Sequence, residues 1–245
     1  MGLEIHPMNL GEGEADTSFM VWSMTPGEKR WIPCSTYLIL GGETPIMVDA
    51  GIRGAEELQA SSGFPFRQSP EQTLEANLAK HGLEPGDVGI LLFTHLHLDH
   101  TGVADKLPHA RLVMQREELA YAAAPHFPDV FYDRVDIAKI VSPLWKQVEL
   151  QDGDEEIAPG VRTVVTGGHS PGHQMVYVEV DSGLAIIVGD NAYLIDPGIT
   201  QQVPPGYSVN VRDTVDSLRK ASQEGDYFLP MHDHAVYELY PEGVR

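Results

Sequence analysis

Short apolar runs separated by polar turns recur along the whole chain and predict an alternation of strands and helices. Runs typical of strands occupy residues 36–40, 45–49, 88–93, 111–114, 161–165, 175–180, 184–188 and 227–230. Helical patterns occupy residues 117–123 and 211–222, and a third helix is expected to start at Ser69-Pro70 and end near Gly82. Strands interleaved with helices in this way indicate an α/β fold.

The run at residues 88–93 carries no polar side chain. A strand that is apolar on both faces is covered on both faces, so we expect this one at the centre of a sheet. No repeat, low-complexity tract or linker-like stretch interrupts the chain. We therefore predict a single domain over residues 1–245.

The charge of the chain narrows the choice of partner. Sixteen Lys and Arg residues against 36 Asp and Glu residues give a formal net charge of −20. Such a surface repels phosphates, so we expect neither nucleic acid nor membrane as a partner. The first residues show neither the basic nor the apolar segment of a signal peptide, which favours a cytoplasmic protein. With Cys34 as the only cysteine, an intrachain disulfide and a cysteine-rich metal site are excluded.

Residues that could bind metal are concentrated directly after the apolar run at 88–93. His95, His97, Asp99 and His100 lie within six residues of one another. In an extended segment His95 and His97 point the same way and could share one ion, while Asp99 and His100 could face a second. Imidazole and carboxylate ligands without thiolate suit Zn²⁺ and neighbouring first-row ions.

Three later segments supply further candidate ligands. A glycine-rich turn after a strand presents His169, Asp190 follows an apolar run, and His232 follows another strand. We expect His173 to be a structural residue and Asp233 to orient an imidazole. The other histidines outside these motifs are interpreted as structural, namely His6, His81, His109 and His126.

The order and spacing of these residues resemble the metal motif of the metallo-β-lactamase superfamily, H-x-H-x-D-H followed by separate His, Asp and His residues. All seven positions are matched. The resemblance implies an αββα sandwich, in which two mixed sheets flanked by helices carry a dinuclear site at one edge. It also implies how the ligands divide, with one ion held by His95, His97 and His169, a second by Asp99, His100 and His232, and Asp190 bridging the two.

Within that superfamily the chain is most similar to the N-acyl homoserine lactonases, which place a tyrosine three residues after the bridging aspartate. Tyr193 stands at that position. The resemblance implies two divalent ions, with Zn²⁺ first and Mn²⁺, Fe²⁺ or Co²⁺ as alternatives, and a metal-bridging hydroxide that opens a neutral lactone ring. Tyr193 would then donate to the carbonyl oxygen, and Asp99, Asp190 or water would protonate the leaving alkoxide. The family also suggests a homodimer.

Other functions on the same scaffold stay open at this point. The site could hydrolyse another cyclic ester, a cyclic amide or imide, or a phosphotriester. A persulfide dioxygenase with a single iron shares the first motif but not the match at Tyr193, and a non-catalytic binding module would be expected to have lost ligands. For an acyl chain we expect an apolar channel, with the candidates Met20, Trp22, Met24, Phe64 and Phe66.

Overall fold

The computed structural model describes residues 2–126 and 129–245, and strands and helices alternate along them. The strands are β1 (Glu4–Asp16), β2 (Lys29–Leu40), β3 (Ile46–Val48), β4 (Phe66–Arg67), β5 (Ile90–Leu92), β6 (Arg111–Gln115), β7 (Val148–Gln151), β8 (Glu155–Ala158), β9 (Val161–Val165), β10 (Gln174–Val180), β11 (Gly183–Gly189) and β12 (Tyr227–Pro230). The α-helices are α1 (Thr17–Met20), α2 (Ala55–Ser62), α3 (Leu74–Ala79), α4 (Arg116–Ala123), α5 (Arg134–Val141), α6 (Val211–Glu224) and α7 (Ala235–Leu239).

The strands form two mixed sheets. The larger has the order β4-β1-β2-β3-β5-β6-β7, and the smaller has the order β12-β11-β10-β9-β8. In the larger sheet β3, β5, β6 and β7 pair in parallel, whereas β4, β1, β2 and β3 pair antiparallel. The apolar run at residues 88–93 contains β5, which lies inside this sheet between β3 and β6 as the sequence predicts.

Side-chain alternation along the strands divides the core into layers. Tyr37 and Ile39 of β2 face the space between the sheets, where they share a buried cluster with Val176 and Val178 of β10. Leu38, which lies between them in β2, belongs instead to a cluster that the helices α3, α4 and α5 cover.

The second sheet is covered in the same manner on its outer face. Met175 and Tyr177 of β10 are buried there against Leu218 and Ala221 of α6. Helices therefore lie outside both sheets, and the predicted αββα sandwich is confirmed. None of the helices in the two described ranges is long and apolar enough to span a membrane.

Some elements differ from the sequence prediction. The helix expected from Ser69 to Gly82 is interrupted at Thr73. Thr73 has an extended backbone, and its side chain caps the N-terminus of α3, so the residues before it form only a short 3₁₀ turn. Strand β1 was not predicted, because glycines and a register shift between Asn9 and Glu12 break its apolar alternation. Its long pairing with β2 supplies the order that its own pattern does not indicate.

Candidate metal centre

The seven predicted ligands lie in four loops that meet at one edge of the sandwich. Residues 95–100 follow β5, His169 lies between β9 and β10, and Asp190 and His232 follow β11 and β12. All of these side chains are buried except that of Asp99, which is half-buried. The structure thus brings together residues that are up to 137 positions apart in the chain.

Three imidazoles form the first group. His97 Nδ1 lies 3.0 Å from His95 Nε2 and 3.0 Å from His169 Nε2. His169 Nδ1 lies 3.2 Å from the carbonyl oxygen of Tyr207, which can only accept, so this nitrogen carries the proton. The Nε2 of His169 therefore presents a lone pair towards the other two rings.

The orientation of His95 follows from the same kind of argument. The Thr94 hydroxyl donates to Asp49 Oδ2 at 2.6 Å, so its oxygen accepts from His95 Nδ1 at 3.0 Å. His95 Nε2 is then also an unprotonated nitrogen that faces the group. Lone pairs that converge in this way are held together only when a proton or a metal ion lies between them.

Asp99, His100 and His232 form the second group, with one ligand atom from each within 4.8 Å of the others. His232 Nδ1 donates to the carbonyl oxygen of Pro33 at 2.7 Å, so its Nε2 is an acceptor. This nitrogen lies 3.1 Å from Asp190 Oδ2, which is also an acceptor. Two acceptors at this distance are held together only when a proton or a metal ion lies between them.

Asp190 occupies the space between the two groups. Its Oδ2 is 3.6 Å from His169 Nε2 and 3.9 Å from His95 Nε2, and its Oδ1 is 3.5 Å from His100 Nε2. One carboxylate thus faces imidazoles of both groups, which is the arrangement that a bridging ligand requires.

Unpartnered polar atoms test whether metal ions fit these groups. Within the described residues, His100 Nε2 and Asp190 Oδ1 are buried and have no hydrogen-bond partner. Buried polar atoms are nearly always paired, so two that face each other without a partner indicate a missing third component. A divalent cation between them satisfies both, and the donor set of imidazoles and carboxylates is one that zinc accepts.

The electrostatics of the two groups differ. Burial, together with the neighbouring imidazoles, lowers the pKa of His95 and of His97 well below the ordinary value. Burial opposes protonation of His100 as well, but Asp190, Asp99 and Asp49 outweigh it and hold its pKa well above the ordinary value. The first group is therefore a set of neutral imidazoles, and the second lies in the field of several carboxylates.

Asp49 is a functional residue that the sequence reasoning missed. It follows β3 and is fully buried, with Oδ1 accepting from the Thr94 backbone and Oδ2 accepting from the Thr94 hydroxyl and from His100 Nδ1 at 2.8 Å. It thereby orients one ring in each group, directly for His100 and through Thr94 for His95. An acid at the end of the apolar run 45–48 was the signal that could have revealed it.

Two expectations about neighbouring residues have different outcomes. His173 is buried behind the site, and its Nε2 accepts from the backbone N–H of Asp190, in agreement with a structural role. The expectation for Asp233 is wrong, because its carboxylate accepts from the backbone N–H groups of Ile195 and Ala235 and touches no imidazole. Its negative charge serves to hold the loop after Tyr193 against the C-terminal segment.

An apolar cavity of about 260 Å³ opens next to the metal-binding side chains. His97, Asp99, Asp190 and Tyr193 form its inner end, and Phe64 and Phe66, which the sequence reasoning proposed, line its wall. The other candidates, Met20, Trp22 and Met24, are corrected because none of them lines the cavity; Met20 and Met24 belong to a neighbouring hydrophobic cluster, and Trp22 is 53% exposed. Residues that the sequence did not single out also line the cavity, among them the apolar Phe19, Ile32 and Phe131 and the charged Glu14, Asp16 and Lys29.

Tyr193 stands at the boundary between the cavity and the metal groups. Burial, reinforced by the charges of Asp190 and Asp99, raises the pKa of Tyr193 well above its ordinary value, so the hydroxyl keeps its proton. The residue therefore presents a hydrogen-bond donor next to the candidate ligands.

A family model described as the metallo-beta-lactamase superfamily matches residues 30–232, which include all seven candidate ligands. The chain belongs to the metallo-beta-lactamase superfamily. The resemblance inferred from the H-x-H-x-D-H motif is thereby confirmed.

Two relatives with similar sequences are lactonases. The N-acyl homoserine lactonase AiiA of Bacillus thuringiensis subsp. kurstaki is 29% identical over 197 residues, which cover 77% of this chain and 75% of that protein. The N-acyl homoserine lactonase AttM of Azorhizobium caulinodans is 34% identical over 161 residues, which cover 62% of this chain and 60% of that protein.

Solved structures of this superfamily share the fold. An N-acyl homoserine lactone hydrolase with the product N-hexanoyl-L-homoserine bound at its catalytic metal center superposes with a TM-score of 0.82 at 24% identity, covering 99% of this chain and 98% of that one. AidC, a dizinc quorum-quenching lactonase, superposes with a TM-score of 0.71 at 14% identity, covering 94% and 87%. These likenesses extend over nearly the whole sandwich.

Proposed function

We propose that this protein is a metal-dependent hydrolase that opens the ring of N-acyl homoserine lactones or closely similar neutral lactones. The observation that carries the proposal is the position of two candidate metal groups, joined by Asp190, at the inner end of an apolar cavity. The lactonase relatives support the choice of substrate.

The metal ions would be held by the two groups of ligands described above. His95, His97 and His169 would hold one ion, and Asp99, His100 and His232 would hold the other, with Asp190 between them. When bound, such ions lower the pKa of water to supply a nucleophile at neutral pH, and they polarise a carbonyl oxygen. The structure is compatible with zinc and leaves manganese, iron and cobalt as alternatives.

Tyr193 and Asp99 would act on the substrate from the cavity side. Both line the cavity, so the Tyr193 hydroxyl can donate to the carbonyl oxygen as negative charge develops on it. Asp99 is the better placed of the two carboxylates to hand a proton to the leaving oxygen, because its side chain is 22% exposed while that of Asp190 is 2% exposed among imidazoles. This difference in exposure supports Asp99 as the proton donor among the alternatives Asp99, Asp190 and water that the sequence left open.

The cavity and the overall charge favour a neutral substrate with an apolar tail. Phe19, Phe64, Phe66 and Phe131 offer aromatic surface to an acyl chain. The net charge of −20 repels polyanions, which argues against phosphodiesters and nucleic acids.

Metal analysis combined with a substrate panel tests the proposal. We expect about two ions per chain in the purified protein and, among lactones, cyclic imides, phosphotriesters and phosphodiesters, the highest kcat/KM on acyl homoserine lactones. His169→Ala should lower both metal content and activity, whereas His109→Ala, which alters an exposed histidine away from the site, should leave both unchanged. A higher kcat/KM on any other class than on every lactone tested would overturn the assignment.

A further inference from the structure

We propose that Glu118 is the positioning residue that holds the two histidine segments of the metal centre in register. Glu118 lies in the first turn of α4 and is 1% exposed, so its carboxylate has no access to solvent. It is neither a candidate ligand nor part of the cavity wall. Its interactions instead extend to three separate segments around the site.

Each carboxylate oxygen of Glu118 accepts two hydrogen bonds. Oε1 accepts from the backbone N–H of Leu96 at 3.0 Å and from the Tyr132 hydroxyl at 2.9 Å. Oε2 accepts from the Ser170 hydroxyl at 2.7 Å and from the backbone N–H of Gly172 at 3.0 Å. All four acceptor positions of the carboxylate are thus occupied.

The donors are placed next to the candidate ligands. Leu96 lies between His95 and His97, and Ser170 directly follows His169. These three histidines form the first metal group, yet His169 comes from a loop of the other sheet. Glu118 is therefore a direct polar link between the two segments that must keep their nitrogens about 3 Å apart.

The same carboxylate is also linked to the segment that carries Phe131 of the cavity wall. Tyr132 donates to it, and the neighbouring Phe131 accepts from the backbone N–H of Leu98 through its carbonyl oxygen at 2.9 Å. The approach of the second loop is equally tight, since a side chain on Gly172 would lie 2.6 Å from Cβ of Glu118. Gly172 therefore lies in direct contact with α4, where no side chain would fit.

Replacing Glu118 with glutamine would disrupt this set of hydrogen bonds while keeping the size of the side chain. Its amide offers one oxygen, so the NH₂ group must face either Leu96 N–H or Gly172 N–H. Hydroxyl groups can rotate and accept from that NH₂, but a backbone N–H cannot. One histidine segment therefore loses its anchor whichever way the amide turns.

The test uses Co²⁺ binding to the metal-free full-length chain, so it has a readout apart from activity. Glu118→Gln should weaken Co²⁺ binding in competition with a chelator by about 10–100-fold, as is usual when a supporting partner of metal ligands is lost. It should also alter the visible absorption of the bound Co²⁺. Glu117→Gln, which removes the same charge from the adjacent exposed position, should do neither.

A second variant keeps the test decisive if Glu118→Gln does not fold. Ser170→Ala removes one donor and keeps the carboxylate, so it should fold and weaken Co²⁺ binding by less than Glu118→Gln does. Wild-type affinity and absorption in a folded Glu118→Gln protein, or in Ser170→Ala if the first variant does not fold, would overturn the inference.

The inference rests on the metal centre of the proposed function but not on the lactone. If the wild type binds Co²⁺, responds to these substitutions as expected and opens no lactone, the proposed substrate fails and the role of Glu118 stands. If lactones are hydrolysed and Glu118→Gln binds Co²⁺ as the wild type does, the proposed function stands and the role of Glu118 fails.

Discussion

The ring of Tyr193 stacks on the imidazole of His232, with centroids 4.6 Å apart and planes inclined by 27°. The Nδ1 atom of the same imidazole donates a hydrogen bond to the carbonyl oxygen of Pro33. Tyr193 thus has two separable contributions, since its ring supports a candidate ligand and its hydroxyl borders the cavity. Different substitutions of Tyr193 should separate them.

Tyr193→Phe should lower kcat while leaving metal content unchanged. The substitution removes one donor to the developing oxyanion but keeps the ring on His232. An oxyanion donor that acts alone is worth about 10²–10³ in kcat, and because metal ions share this task we expect a loss of roughly 10-fold. Steady-state kinetics on the best lactone and elemental analysis measure the two quantities.

Tyr193→Ala is the matched comparison because it removes the ring as well. We expect lower metal content in addition to lower kcat, since His232 loses the surface against which it packs. Equal metal content in all three proteins would show that the stacking does not support the ligand, and unaltered kinetics in Tyr193→Phe would leave the hydroxyl without a role.

Asp49→Asn should weaken metal retention by about 10–100-fold, the range typical for partners that orient metal ligands. The amide has one oxygen, so its NH₂ group must face either the Thr94 backbone N–H or the Thr94 hydroxyl and His100 Nδ1. Either orientation disturbs the contacts through which Asp49 orients His95 and His100. Dialysis against a chelator followed by elemental analysis gives the measurement. Glu43→Gln removes a charge from an exposed turn and should retain metal as the wild type does.

Phe131→Ala should affect substrates according to the length of their acyl chain. Its ring is stacked on Phe64 at 5.7 Å with planes inclined by 13°, so its removal opens the apolar wall. We expect kcat/KM to fall for long-chain lactones by about 10-fold or more, the value of roughly 1.4 kcal/mol of lost apolar contact, and to change little for short ones.

Trp22→Ala provides the control for this series. Trp22 is exposed and does not line the cavity, so its removal should leave the chain-length profile unchanged. A profile that responds to Trp22 and not to Phe131 would place the acyl chain outside the cavity described above.

Asp136 should make the free energy of unfolding decrease as pH rises from about 4 to about 6. Burial raises the pKa of Asp136 to about 6, although Arg53 acts in the opposite direction. In this window the folded protein holds a proton that the unfolded chain has released, so folding becomes less favourable with rising pH. The stability of the wild type relative to Asp136→Asn should fall by about 1–3 kcal/mol across it.

Asp133 shares Arg53 with Asp136 and should show the opposite sign. Burial acts against its ionisation, but hydrogen bonds from Arg53 and Ser61 outweigh burial and lower its pKa. The stability that Asp133 contributes is fully present above its pKa in the unfolded chain, and it is lost as pH falls through its lower pKa in the folded protein. Urea unfolding of Asp133→Asn and Asp136→Asn at several pH values measures both, and slopes of the same sign would contradict the prediction.

The sequence predicted the elements whose stability lies in their own apolar pattern. The run that contains β5, the strand β9 and the helix α4 were placed nearly to the residue, because burial on known faces dictates their side chains. Strand β1 could not be predicted, since its order comes from pairing with β2 across a register shift. Tertiary contacts, rather than local preference, decide such segments.

The same distinction applies to the site. Candidate ligands stand out in the sequence because their residue types cluster, and the structure brings all seven together. Asp49 and Glu118 do not stand out, since a single acid at a strand end or in a helix resembles the many exposed acids of a chain with a net charge of −20. Only the folded arrangement shows that four donors converge on one carboxylate and three on the other.

Each metal group takes two ligands from the loop after β5 and one from a loop of the smaller sheet. His169 joins His95 and His97 in the first group, and His232 joins Asp99 and His100 in the second. Asp190 also comes from the smaller sheet, so a chain that has formed only its larger sheet has two of the four ligands of each group and completes neither. Tight binding of ions at these groups would therefore require that the two sheets have packed together, and metal content would distinguish fully folded chains from partly folded ones.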